Sequence, residues 1–125
     1  MLEGASSYFL IVLAALMSVF GNTLFRLGLR KVGLESLAPA YLLRNFFSVV
    51  FQPLVFIGFV FFAVGAVIWL RVLTSAPLNK SYPIYVGFIM VFLALSSVFL
   101  LREPFGLARI AGVVLICLGT LLVFL

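Results

Sequence analysis

The sequence predicts an all-α polytopic membrane protein: four transmembrane helices in one small domain, expected to work as a dimer. Three observations carry that prediction. Of 125 residues, 66% are apolar or aromatic and only 9% are charged, with a mean hydropathy of +1.42. An average soluble domain is about half apolar and about a quarter charged. A soluble globule this small cannot hide so much apolar surface, so its solvent is lipid. Third, the apolar residues gather into four stretches of about 20 residues, the length needed to cross a hydrocarbon core roughly 30 Å thick.

The first stretch runs from Tyr8 to Leu27, the second from Phe46 to Leu70, the third from Tyr82 to Leu101 and the fourth from Phe105 to Leu125. A cleavable signal peptide opens with basic residues, whereas Glu3 is the only charge before Tyr8. The first stretch is therefore expected to stay as a helix. The connection from Leu29 to Asn45 carries Arg30, Lys31, Glu35, Pro39 and Arg44 and is long enough for a short interfacial helix. The second connection, Arg71 to Ser81, holds Pro77, Asn79 and Lys80, where Pro77 stops the preceding helix. In the third, Arg102-Glu103-Pro104, Pro104 suits the first turn of the last helix and Glu103 is expected at the positive end of its dipole.

The basic residues punctuate these runs and form no single face. Eight Lys and Arg against three Asp and Glu give a net charge of +5, here a signature of headgroup boundaries and not of nucleic-acid binding. Connections one and three carry six cations, Arg26, Arg30, Lys31, Arg44, Arg102 and Arg109, while connection two carries Arg71 and Lys80. The positive-inside rule then puts connections one and three in the cytoplasm and both termini outside. With no histidine, three acids and Cys117 as the only cysteine, His-based catalysis, a His-ligated metal and an internal disulfide are excluded, and no cofactor or enzymatic activity is expected.

Candidate functional residues are polar groups placed in or beside the spans. On the first helix, Ala14, Ser18, Gly21 and Gly28 share small-residue spacing, and Ser18, Asn22 and Thr23 add polar atoms. That face either packs another helix closely or lines a cavity. Arg26 either snorkels to headgroups or meets a phosphate. Arg71 and Lys80 bracket the second connection and either anchor in headgroups or converge on one anion, Arg as a planar fork and Lys as a point charge. Tyr82 and Tyr85, three apart at the start of the third helix, belong either to an aromatic belt or to a cavity that stacks on a sugar or cation. Ala108, Gly112 and Gly119 form a stripe suited to a dimer seam. Trp69, Cys117 and the phenylalanines read as lipid-facing or packing residues.

Several segments together resemble the small multidrug resistance branch of the drug/metabolite transporter superfamily (EamA-like). They are Leu16-Met17-Ser18-Val19-Phe20-Gly21-Asn22, Pro77-Leu78-Asn79-Lys80-Ser81-Tyr82-Pro83, Arg102-Glu103-Pro104 and the run from Gly112 to Gly119. The likeness covers nearly the whole chain apart from the first connection. Proton-coupled drug antiporters of that branch carry a membrane-embedded Glu on the first helix, and the matching position here is Ser18. That departure argues against cation antiport. Tyr82 matches the branch's cavity tyrosine, Tyr85 stands where it has a tryptophan, and Gly112 with Gly119 match its dimerisation stripe.

The chain is more similar to the small flippase subunits that move 4-amino-4-deoxyarabinose-phosphoundecaprenol across the bacterial inner membrane. Those also lack the Glu and share features like Ile68-Trp69-Leu70, Ser81-Tyr82-Pro83 and Glu103-Pro104; Arg71 and Lys80 are not part of their pattern. The resemblance implies a multi-pass inner-membrane flippase for a polyprenyl-phosphate-linked sugar or a bare polyprenyl phosphate. Such a protein works as a homodimer or with a similar small subunit. The site residues expected are Arg71 and Lys80 for phosphate, Tyr82 and Tyr85 for sugar, and Ser18 and Asn22 along the path. Two alternatives stand beside it: a small-metabolite or drug exporter without the Glu, and a non-transporting accessory subunit of a membrane glycosyltransferase.

Overall fold

The computed structural model describes residues 2–32 and 39–125, with side chains over 5–31 and 43–125. Glu35, and the side chains of Glu3 and Pro39, lie outside the described residues. Five helices occur in order: α1 (Leu2–Val32), α2 (Pro39–Val50), α3 (Pro53–Ser75), α4 (Leu78–Phe99) and α5 (Leu107–Phe124). Four of them, α1, α3, α4 and α5, are long and apolar enough to cross a membrane. At 1.5 Å per residue, α3 spans about 35 Å and α5 about 27 Å.

The first span extends past both expected ends, Tyr8 and Leu27, to Leu2–Val32, and the starts of the other three differ from the sequence expectation for local backbone reasons. The second span begins at Pro53, not Phe46, because Gln52 adopts φ −59°, ψ 130°. A residue before proline is pushed out of the helical region, so Phe46–Val50 belongs to α2, a separate amphipathic helix. Gln52 then caps α3, its side chain accepting from the Val55 N–H at 3.0 Å. The third span starts a turn earlier, at Leu78, behind an extended Pro77, leaving Pro83 inside the helix but close to its end. The fourth starts at Leu107, with Gly106 as an extended cap, so Pro104 lies outside it.

Glu103 also departs from expectation. Its Oε1 accepts from Arg26 Nε at 3.1 Å and Arg30 Nη2 at 3.4 Å, two cations one turn apart on α1, whose full charges outweigh the fractional charge of a helix end. The chain reverses there through Arg102, which has φ 52°. Arg26 is thus engaged by Glu103.

α1 is the central helix, packed chiefly on α3 and then on α4, and α5 leans on α4. The α1–α3 seam works by omission of side chains. A Cβ on Gly21 would stand 2.5 Å from the Phe62 ring, and one on Gly58 would stand 3.0 Å from the Gly21 carbonyl oxygen. Phe25 fills the space beside them, 4.8 Å from Phe59 and 5.1 Å from Phe62 between centroids. α4 joins through a small apolar cluster of Ile11, Val72 and Ile84, and through a buried Thr23–Ser96 hydroxyl pair at 2.6 Å. α5 touches α4 where Thr120 fills the gap over Gly87; the Thr120 hydroxyl lies 3.3 Å from the Pro83 carbonyl of α4 and 2.9 Å from the Ile116 carbonyl of α5 itself. None of its residues is buried; Leu107, Leu115 and Leu122 are 85%, 67% and 74% exposed.

Candidate substrate-binding face

The site assembles where α1, α3 and α4 meet. Ser18, 5% exposed, shares a 2.6 Å hydrogen bond with the Tyr85 hydroxyl. Buried hydroxyls in lipid need a partner, and here one helix supplies it to the other. One turn along α1 from Ser18, the exposed Asn22 donates its amide to the Ser18 carbonyl at 3.0 Å. Above them the Tyr85 ring lies 4.4 Å from Trp69 of α3. Tyr82 completes the group, 6.0 Å from Trp69 and 6.2 Å from Tyr85 between centroids.

Four of the six candidate binding residues therefore come together: Ser18, Asn22, Tyr82 and Tyr85. At 100° per residue, Tyr82 and Tyr85 lie about 60° apart around α4, whereas Lys80 and Tyr82 are about 160° apart. Lys80 instead sits over the Phe124 ring of α5 at 5.8 Å. Arg71 is two residues past Trp69, on nearly the opposite side of α3, and its Nη1 donates to Thr74 at 3.2 Å. No contact in the described residues brings Arg71 and Lys80 to one point.

Trp69 is the residue that sequence reasoning missed. A lone tryptophan at the depth of two tyrosines suits a belt equally well, and only the packing of α3 on α4 tells the two apart. Ser7 and Ser75 were also missed; their hydroxyls meet at 3.1 Å near the amino-terminal end of α1. The small-residue face of α1 serves both readings at once: Ala14 and Gly21 pack α3, while Ser18 and Asn22 border the aromatic group. On α5, Ala108 is exposed, and a Cβ built on Gly112 or Gly119 would meet nothing within 4 Å. That stripe is open in the single chain.

Chemically the face is a set of hydroxyls, one amide and three rings that meet edge-on or tilted. Glu103, the one carboxylate among the described side chains, lies beyond the end of α4 and is held by Arg26 and Arg30. Aromatic faces bind the C–H surfaces of sugars and the charge of ammonium groups, and hydroxyls and amides match sugar hydroxyls.

Comparison with known proteins agrees with the resemblance carried by the sequence motifs. The chain is 45% identical over 64 residues to a probable 4-amino-4-deoxy-L-arabinose-phosphoundecaprenol flippase subunit, ArnE, of Photorhabdus laumondii, over 50% of this chain and 55% of that protein. It is 26% identical over 103 residues to the probable ArnF subunit of the same flippase of Proteus mirabilis, covering 76% of this chain and 77% of the relative. The match thus spans about half the length of the first relative and three quarters of the second. No family model and no solved structure matches the chain.

Proposed function

We propose that this protein is a small multi-pass subunit of a flippase that carries a lipid-linked, phosphate-bearing sugar across the bacterial inner membrane, and that it is not an enzyme. The observation that carries this reading is the Ser18–Tyr85–Trp69–Tyr82 group, which places hydroxyls and rings where proton-coupled relatives hold a carboxylate. Both similar proteins are named as flippase subunits for an amino sugar on phosphoundecaprenol. An amino sugar offers C–H faces and an ammonium to the rings and hydroxyls to Ser18 and Asn22, while its polyprenyl tail stays in the bilayer. Only the polar head then has to be solvated by the protein.

One chain supplies half of such a path. The open Ala108–Gly112–Gly119 stripe supports pairing through α5, with a second copy or with a similar subunit, because small residues let helices approach closely in lipid. The Lys and Arg distribution supports both termini lying outside the cytoplasm. Rocking of one subunit on the other gives alternating access.

The test is flipping of a fluorescent polyprenyl-phosphate sugar in proteoliposomes holding the protein with whatever subunit co-purifies. Trp69→Ala and Tyr85→Phe are expected to lower the rate about tenfold or more and about threefold respectively, with helical content unchanged. Wild-type rates in the double variant would refute the assignment of the aromatic face.

A further inference from the structure

A cavity with a mixed polar and apolar lining lies at the amino-terminal end of α1, on a different side of α4 from the aromatic face. It measures about 270 Å³ and is lined by Ser7, Tyr8, Ser75, Lys80, Ser81 and Ile84, among others. That is far above the roughly 10–15 Å³ that admits one water, so a phosphate with part of its ester fits. Three of the lining side chains are serines from three different helices. Ser7 and Ser81 are 5% and 2% exposed. Lys80 is exposed at the rim with its ammonium over the Phe124 ring at 5.8 Å, and Tyr8 meets the same ring at 5.7 Å. The end of α5 thereby holds the lysine stem in place by a cation–π contact that leaves the ammonium protons free to donate. Among the described side chains no acidic one lines the cavity, and the first turn of α4 forms part of its wall, adding the positive end of that helix.

We propose that this cavity binds a phosphate group carried by a lipid, separately from the face that holds the sugar. The inference rests on the flippase reading, which supplies the phosphate-bearing lipid, but its geometry is its own: the Lys80 ammonium and the Ser81 hydroxyl share one pocket with the Ser7–Ser75 hydroxyl pair. Hydroxyls and an ammonium match phosphate oxygens, and an ammonium, being a point charge, accepts a monoester or a diester alike. The separation around α4 lets a phosphate and its sugar engage two sides of one helix end, or engage them in succession.

Binding of undecaprenyl phosphate, undecaprenol and inorganic phosphate to the full chain in detergent, read by native mass spectrometry, tests this. Lys80→Gln is expected to weaken undecaprenyl phosphate about tenfold, the scale of one charged hydrogen bond, to leave undecaprenol unchanged, and to be rescued by Lys80→Arg. Arg71→Gln, a cation outside the cavity, should keep undecaprenyl phosphate affinity within about twofold, and because neither sugar nor flipping enters this binding measurement, failure here is distinguishable from failure of the aromatic face in the flipping assay. Unchanged undecaprenyl phosphate binding in Lys80→Gln, or equal loss of undecaprenol, would overturn the proposal. Inorganic phosphate that binds by itself and is lost in Lys80→Gln would overturn the lipid as its source.

Discussion

The Ser18–Tyr85 hydrogen bond predicts a measurable coupling between two helices. At 2.6 Å it is short for a neutral O–H···O contact, and Ser18 is buried. Side-chain hydrogen bonds between transmembrane helices average about 0.6 kcal/mol and reach about 1.7 kcal/mol in double-mutant cycles. Tyr85→Phe leaves a serine that turns back to a carbonyl of its own helix, so its cost is expected near 0.5–1 kcal/mol. Ser18→Ala strands the phenol among apolar groups and costs about 1–2 kcal/mol. The double variant removes both needs at once and should cost less than the sum of the two, by about 0.6–1.7 kcal/mol. Unfolding in mixed micelles by rising dodecyl sulfate, followed by circular dichroism, measures all four species. Additivity within about 0.3 kcal/mol would refute the bond as an energetic link between α1 and α4.

Gly58→Ala should destabilise the fold by up to about 2 kcal/mol: overpacking of about 1–3 kcal/mol against the Gly21 carbonyl and wedged Phe25 is offset by the roughly 1 kcal/mol gained in helix propensity. Gly119→Leu, facing open space, is expected to leave unfolding of the single chain unchanged and to lower energy transfer between differently labelled protomers in bilayers. Glu103→Gln removes two largely exposed ion pairs and should cost under about 1 kcal/mol, with 0.5 M salt reducing the wild-type advantage; an equal loss at low and high salt would argue for a packing role instead.

The number of spans and the break at Pro77 were legible because composition and proline act locally. The extent of the second span was not, since Phe46–Phe51 is as apolar as the start of α3 and only the Gln52-Pro53 dihedral constraint divides them. Glu103 was misplaced for the opposite reason: its partner Arg26 is 77 residues away, while the helix end considered for it is adjacent. Within the site, Ser18 and Tyr85 could each be singled out as polar groups inside an apolar helix, but their union over 67 residues is a product of the glycine seam that sets α1 in place. Lys80 was expected to hold the phosphate of the substrate whose sugar meets Tyr82, although their spacing of two already sends them to nearly opposite sides of a helix.

The make-up of the aromatic face has an electrical consequence. One hydroxyl pair, an amide and three aromatic rings move no full charge when the helices rearrange. Within that face membrane voltage then acts on the cargo alone, at about 2.3 kcal/mol per elementary charge per 100 mV. A head that pairs an ammonium with one phosphate charge is indifferent to that field, whereas a bare phosphate head is driven by it. The sign and size of the voltage dependence would therefore report the charge of the cargo.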